Sequence, residues 1–123
     1  MIEAAVLQSG TSRIDDFLTA LEKSRKSKDR DRLADIIMVF QDYADDDSLE
    51  IPRELNDLRD GIRELKPGDV RLPFFEVEDG KSGAIRLTHG FVKQGTKAPR
   101  KQIDTALWVR NEDKEVDRRG QSL

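Results

Sequence analysis

The hydrophobic positions divide the chain into a helical first half and a strand-rich second half. Two stretches carry apolar side chains at helical spacing, the first at Ile14, Phe17, Leu18 and Leu21, the second at Leu33, Ile36, Ile37, Phe40 and Tyr43. Ser12, with Asp15 three residues later, is typical of a capped helix start. The pattern therefore predicts one helix from Ser12 and a second from about Asp29 to Ala44.

The strand signals lie at both ends of this helical pair. Residues 1–8 predict a short first strand, and residues 51–58, with Pro52, predict a connector. Three further strands are predicted at 61–66, 69–78 and 83–93, with a turn at 79–82. Pro73 interrupts the second of these three, which indicates an edge position or a bulge. A last helix is predicted from Pro99 to about Glu115, with four side chains facing inward: Ile103, Ala106, Leu107 and Trp108.

This order of elements, β-α-α-β-β-β-α, predicts an α+β fold in which a helical pair packs on a small, mainly antiparallel sheet. The length of 123 residues suits one domain, expected at 1–116, followed by a polar, frayed tail at 117–123. The chain has no Cys, no apolar run near the roughly 18 residues of a membrane span and no signal-peptide pattern. We therefore expect a soluble, cytoplasmic protein.

The net charge of −3 hides an uneven distribution. Residues 1–58 carry −6, residues 59–102 carry +4 and residues 103–123 carry −1. The basic middle segment ends at a strand-to-helix corner, where no acid lies between Arg86 and Asp104 and four cations cluster: Lys93, Lys97, Arg100 and Lys101. A cationic corner beside a helix start suits a phosphate, although a solvated basic loop explains the same pattern.

The motifs of common enzyme classes are absent. There is no nucleotide-binding glycine loop, no paired-His metal motif and no Ser-His-Asp arrangement. Three consecutive acids at 45–47 point in different directions, so neither a metal site nor any other cofactor is expected. What remains is a set of basic side chains on neighbouring strands, which could stabilise a phosphate or could be scattered and solvated: Lys66, Arg71, Arg86, His89, Lys93 and Lys97. His89 alternates with Ile85 and Leu87, as a buried structural histidine would.

Four motifs then stand in an order that resembles a known family. They are Ser-Gly-Thr-Ser at 9–12 with Phe-Leu at 17–18, Leu-Arg-Asp-Gly-Ile-Arg-Glu-Leu-Lys at 58–66, Val-Arg-Leu-Pro-Phe at 70–74, and His-Gly-Phe-Val-Lys-Gln at 89–94 continuing through Lys-Ala-Pro at 97–99. Together they span about residues 5–115. In this the chain resembles the RelE/ParE superfamily of bacterial toxins, and within it the phage-derived, HigB-like branch.

The resemblance implies a RelE-like fold and a type II toxin that cleaves mRNA, commonly on the ribosome. It also implies a helix-turn-helix antitoxin encoded by a neighbouring gene. Carried over by position, Arg71 and Lys93 stabilise the scissile phosphate and Lys66 assists them. Because no carboxylate cluster or Cys is present to hold a metal, we expect cleavage through the substrate's own 2′-hydroxyl without metal, with His89, Lys66 or water as the base. Four further cations are expected to contact the RNA: Arg86, Lys97, Arg100 and Lys101.

Three positions depart from the family pattern. Phe74 stands where a tyrosine is expected, Gln94 replaces a second lysine, and Pro73 interrupts the strand that presents Arg71. These departures leave two alternatives open. One is a non-catalytic, ParE-like toxin that binds DNA gyrase, and the other is an inactive phage-derived protein that keeps only the fold.

Overall fold

The computed structural model of the chain describes residues 2–46, 55–77, 84–95 and 99–121. Its three helices are α1 (Arg13–Lys23), α2 (Ser27–Asp46) and α3 (Arg100–Gln121). Its six strands are β1 (Ile2–Ala4), β2 (Leu55–Arg59), β3 (Ile62–Leu65), β4 (Val70–Glu76), β5 (Ile85–Leu87) and β6 (Phe91–Val92). The predicted α+β class is confirmed.

The strands form one sheet in the order β1-β5-β4-β3-β2, with β6 also pairing with β4. β1 and β5 run parallel, and every other described pair is antiparallel. Apolar side chains of α1 and α2 pack on one face, around Ile14, Ile36 and Leu72. α3 packs on the other face, where Ala106 and Val109 meet Ile62 and Phe75. The helices therefore sandwich the sheet.

Local signals set the starts of α1 and α3 as the sequence predicts. Ser12 is the N-cap of α1, and its Oγ accepts a hydrogen bond of 3.2 Å from the Asp15 amide. The carbonyl of Pro99 accepts the first backbone bonds of α3. α2 begins at Ser27 and ends at Asp46, two residues beyond its prediction at each end. It is fixed to the β3–β4 turn by Arg32, whose guanidinium bonds Asp69 through Nε at 3.0 Å and through Nη2 at 2.9 Å.

The predicted connector at 51–58 is wrong for its second half. Residues 55–59 form β2, which pairs with β3 through a tight turn at Asp60 and Gly61. Both turn residues have positive φ, 54° and 82° respectively, and Gly61 adopts such a value without strain from a side chain. Residues 51–54 and the predicted turn at 79–82 lie outside the described residues.

Pro73 does not mark an edge strand. β4 lies between β3 and β5, and Pro73 is fully buried opposite Glu64. Its carbonyl accepts hydrogen bonds from Thr88, through the amide at 2.8 Å and through Oγ1 at 3.0 Å. Because proline has no N–H to return, regular pairing stops at Leu87 and resumes only at β6. The interruption of the ladder thus falls at residues 88–90, in the segment that connects β5 to β6.

α3 differs from its prediction in length and in facing. It runs to Gln121, and its last turns are held to the body of the fold by Arg86, which pairs with Asp117, and by Arg119, which donates to Gln8. The expected frayed tail is therefore helical through residue 121. Trp108 was expected to face inward but is 46% exposed. Across the described residues, none of the helices is both long and apolar enough to cross a bilayer.

Candidate functional site

The strand register brings three of the predicted catalytic cations to one end of the sheet. Leu65 of β3 pairs with Leu72 of β4, so Lys66 leaves the sheet beside Arg71. Arg71 in turn pairs with Phe91 of β6, and the Lys93 amide donates to the Asp69 carbonyl at 2.7 Å. We call Lys66, Arg71 and Lys93 the strand-end cluster. Lys93 is exposed and Lys66 is half-buried.

Arg71 is buried, although the predicted contact with the scissile phosphate would need an accessible guanidinium. It is 8% exposed, and its Nη1 donates to the carbonyls of Gly68 at 3.0 Å and Val70 at 2.7 Å. Its Nε lies 4.0 Å from Oε1 of Glu64, which is also buried. The guanidinium therefore has a carboxylate counter-charge inside the fold, and it braces the turn between β3 and β4.

His89 lies in the segment that leaves the ladder opposite Pro73. It is 4% exposed and stacks on Phe91, with ring centroids 5.7 Å apart. Nδ1 lies 2.9 Å from Thr88 Oγ1, and Nε2 lies 2.9 Å from Gln102 Oε1 of α3. Both ring nitrogens therefore lie within hydrogen-bond distance of a polar side-chain atom.

The charge state of His89 follows from its surroundings. Burial lowers the pKa of the imidazole, the hydrogen bond with the Gln102 side chain raises it, and the nearby Arg13 guanidinium lowers it further. The ring is therefore neutral at pH 7. A proton-carrying role would require one of its two hydrogen bonds to open, because both ring nitrogens are engaged.

The four predicted RNA-binding cations separate into different environments. Arg86 is clamped among Glu3, Asp113 and Asp117, with Asp113 at 2.7 Å. Burial opposes the charge of Arg86, but the hydrogen bonds that Arg86 donates to these carboxylates outweigh it and raise its pKa above the ordinary value. Arg86 thus closes the interface between the sheet and α3. Arg100 and Lys101 are exposed in the first turn of α3, and Lys97 lies outside the described residues.

Position 74 proves to be a core position. Phe74 is 2% exposed and packs in the cluster that contains Val70 and Leu72, under α1 and α2. Since side chains alternate along a strand, Arg71 lies on the opposite face of β4. The phenylalanine therefore removes no hydroxyl from the strand-end cluster.

Sequence reasoning missed the partners that decide how these side chains behave. Glu64 neutralises Arg71, Gln102 holds His89, and Arg13 lies both near His89 and 6.0 Å from the ring centroid of Trp108. The sequence does hint at the role of Glu64. It lies two residues after Ile62 on a predicted strand and so shares a face with that apolar residue, where a buried carboxylate needs a partner. Within the described residues no group of His, Cys, Asp and Glu could hold a metal ion.

Comparison with known families matches residues 16–110 to the family described as "Phage derived protein Gp49-like (DUF891)". The matched segment begins in α1 and ends within α3, so it contains the whole strand-end cluster and His89. A search of curated proteins finds no match.

Proposed function

Because this chain belongs to the Gp49-like family of phage-derived proteins, within the RelE/ParE-like toxin superfamily, we propose that it is the toxin of a type II toxin–antitoxin pair. Its proposed activity is that of an mRNA interferase of the HigB-like type, an endoribonuclease that acts in the cytoplasm on ribosome-bound message. The observation that carries the proposal is the register of β3, β4 and β6, which gathers Lys66, Arg71 and Lys93 at one end of the sheet.

The burial of these groups suggests a division of roles. Lys93 is exposed and Lys66 half-exposed, so their ammonium groups are the members of the cluster that can contact the scissile phosphate. Arg71 is a positioning residue, since its guanidinium holds the carbonyls of the turn that presents Lys66. Arg100 and Lys101, exposed at the start of α3, suit the flanking phosphates, and Lys97 is proposed to join them.

The proposed chemistry uses the nucleophile that RNA itself supplies. The 2′-hydroxyl attacks the adjacent phosphorus, the bond to the 5′-oxygen breaks, and the products are a 2′,3′-cyclic phosphate and a free 5′-hydroxyl. Preorganised cations stabilise the charge that develops on the phosphate oxygens. The neutral imidazole of His89 has one unprotonated nitrogen that can act as a base, and this nitrogen reaches substrate only when its contact with Thr88 or Gln102 opens. Otherwise water takes the proton.

The proposed partner is a helix-turn-helix antitoxin encoded beside this gene. The test begins with expression of the chain alone and together with the neighbouring reading frame. We expect growth arrest alone, rescue on co-expression and a purified complex. A chain that is harmless at high expression and forms no complex would contradict the toxin assignment.

The activity is tested separately on purified protein and RNA, with ribosomes added in a parallel reaction. We expect cleavage to persist in EDTA, to leave cyclic phosphate ends and to stop when the scissile nucleotide is 2′-deoxy. Cleavage of the deoxy substrate would rule out the 2′-hydroxyl mechanism, and so would strict dependence on added Mg²⁺.

A second candidate function is a non-catalytic toxin of the ParE type that binds DNA gyrase. It is favoured by the internal engagement of Arg71 and His89, which a protein-binding toxin would not need to release. A supercoiling assay separates the two candidates. Inhibition of gyrase by a chain that leaves RNA intact supports the binder, and a chain with neither activity is an inactive member of the family.

A further inference from the structure

A second cationic region lies at the opposite end of the sheet from the strand-end cluster. There a cavity of about 480 Å³ opens between the β2–β3 turn, the end of β4 and the middle of α3. Its walls carry four basic side chains, Arg59, Arg63, Arg110 and Lys114, and two acidic ones, Asp60 and Glu76. We call this cavity the hairpin pocket. Nothing in the proposed toxin chemistry uses it.

The β2–β3 turn shapes the wall of this pocket. Asp60 and Gly61 both have positive φ, which turns the Asp60 carbonyl toward α3, where Arg110 Nη1 donates to it. A Cβ on Gly61 would lie 3.3 Å from the same nitrogen, so the guanidinium packs directly against the turn backbone. Arg110 Nε is buried and has no hydrogen-bond partner among the described residues. The guanidinium is therefore fixed in place while part of its hydrogen-bonding capacity stays unused.

Two further cations of the pocket pair with exposed carboxylates. Arg59 is 42% exposed and contacts Asp104 at 2.8 Å, while Arg63 lies 3.7 Å from Glu76, which is 70% exposed. Ion pairs between exposed side chains contribute little to stability, so a multivalent anion can replace these carboxylates at small cost. Lys114 is exposed and makes no ion pair with a described residue.

Three apolar residues, Leu58, Ile62 and Phe75, line the pocket together with the charged ones. A cavity of about 480 Å³ with several basic groups and some apolar lining suits a small ligand that combines a ring system with an anionic group. Arginine forks bind phosphate in two-point geometry, which a peptide carboxylate also offers, but a peptide would need an extended groove rather than a single cavity of this volume. We propose that the hairpin pocket binds a nucleoside phosphate, either free or at the end of an RNA strand.

Binding is measured by titration calorimetry on the purified full chain, with adenosine 5′-monophosphate as the probe. Adenosine and inorganic phosphate are titrated separately, because the proposal needs both the base and the phosphate. We expect saturable binding of the monophosphate, at least tenfold tighter than either fragment. Lys114→Ala should weaken it about tenfold and Arg110→Gln should abolish it. Lys23→Ala, an exposed lysine at the end of α1, is the matched control and should leave binding unchanged.

The source of the phosphate is settled by two further titrations, with a 5′-phosphorylated RNA hexamer and with the same hexamer lacking its phosphate. Lys114-dependent binding of the phosphorylated hexamer, and not of the monophosphate, assigns the pocket to strand ends. The proposal is overturned if neither phosphorylated probe binds, if inorganic phosphate binds as tightly, or if Lys114→Ala changes nothing. It is also overturned if an acidic peptide such as hexaglutamate binds through Lys114 while both phosphorylated probes fail. None of these results depends on toxin activity.

Discussion

The two ends of the sheet both collect basic side chains, but they use them differently. At the strand-end cluster, Arg71 is buried against Glu64, and two backbone carbonyls accept from its guanidinium. At the hairpin pocket, Arg59 and Arg63 lie on the surface and pair with exposed carboxylates. The strand-end cluster therefore buries its central cation against a carboxylate, while the hairpin pocket has cations that pair with carboxylates at the surface.

This difference shows that the count of cations in a region says little about what they can bind. A buried arginine with a carboxylate partner stabilises the arrangement around it, and its charge is already neutralised. Arg86 illustrates the same point between the two ends, where Asp113 and Asp117 surround it. The exposed lysines at the strand-end cluster then become the groups that can meet a phosphate.

The largest expected effect is on stability at the buried pair. Arg71→Ala removes the cation that lies 4.0 Å from the buried carboxylate of Glu64, and removing one partner of a buried pair costs about 3–5 kcal/mol. Urea denaturation followed by circular dichroism measures the loss. The matched variant at the other end, Arg63→Ala, removes a more exposed pair and should change the free energy of unfolding by no more than about 1 kcal/mol. Equal losses for the two variants would abolish the contrast between the ends.

A second prediction separates catalysis from stability within the strand-end cluster. Lys93→Ala should reduce the RNA cleavage rate by about 10²–10³, the usual effect of removing one preorganised charge-stabilising group. Because Lys93 is exposed, its free energy of unfolding should stay within about 0.5 kcal/mol of the parent chain. Lys23→Ala is the control for loss of one surface lysine. A Lys93→Ala chain that cleaves at the parental rate would remove Lys93 from the proposed site.

A third prediction concerns the close packing behind His89. A Cβ on Gly90 would clash with the ring of Phe17, so Gly90→Ala must displace that ring, α1 or the segment at 88–90. Overpacking of this kind costs about 1–3 kcal/mol in the free energy of unfolding. Gly120→Ala, in the last turn of α3 with nothing near its Cβ, should instead stabilise the chain by up to about 1 kcal/mol. If Gly90→Ala leaves the free energy of unfolding unchanged, the packing between Gly90 and Phe17 is loose.

The smallest predicted effect is a dependence of stability on pH. The folded pKa of His89 lies below its unfolded value of about 6.5, so the unfolded chain binds a proton more readily. The stabilising contribution of neutral His89 is complete above that value and is lost as the pH falls through 6.5 toward the folded pKa. Denaturation at pH 7.5 and 5.5 measures the slope. Since the chain has one histidine, His89→Gln should remove that part of the slope, and an unchanged slope would assign it to other groups.

The sequence by itself determined the elements whose signals are local. Apolar spacing located α1 and α2, Ser12 marked the start of α1, and Pro99 marked the start of α3. Alternation and turns also located β3, β4 and the segment that contains β5 and β6, although they missed β2 and the break between β5 and β6. These features depend on contacts within a few residues, which is the range over which a sequence pattern acts directly.

Tertiary structure alone decided how the cations are used. Glu64, Gln102 and Asp113 meet Arg71, His89 and Arg86 across strand or helix boundaries, and no local pattern specifies such pairings. Pro73 gives another example of a long-range effect. Because it has no N–H to donate, the segment opposite it leaves the regular pairing, and His89 lies in that segment. The hairpin pocket needed the β2–β3 turn and α3 together. Burial and counter-charge belong to the assembled fold, because they depend on which distant surfaces come into contact.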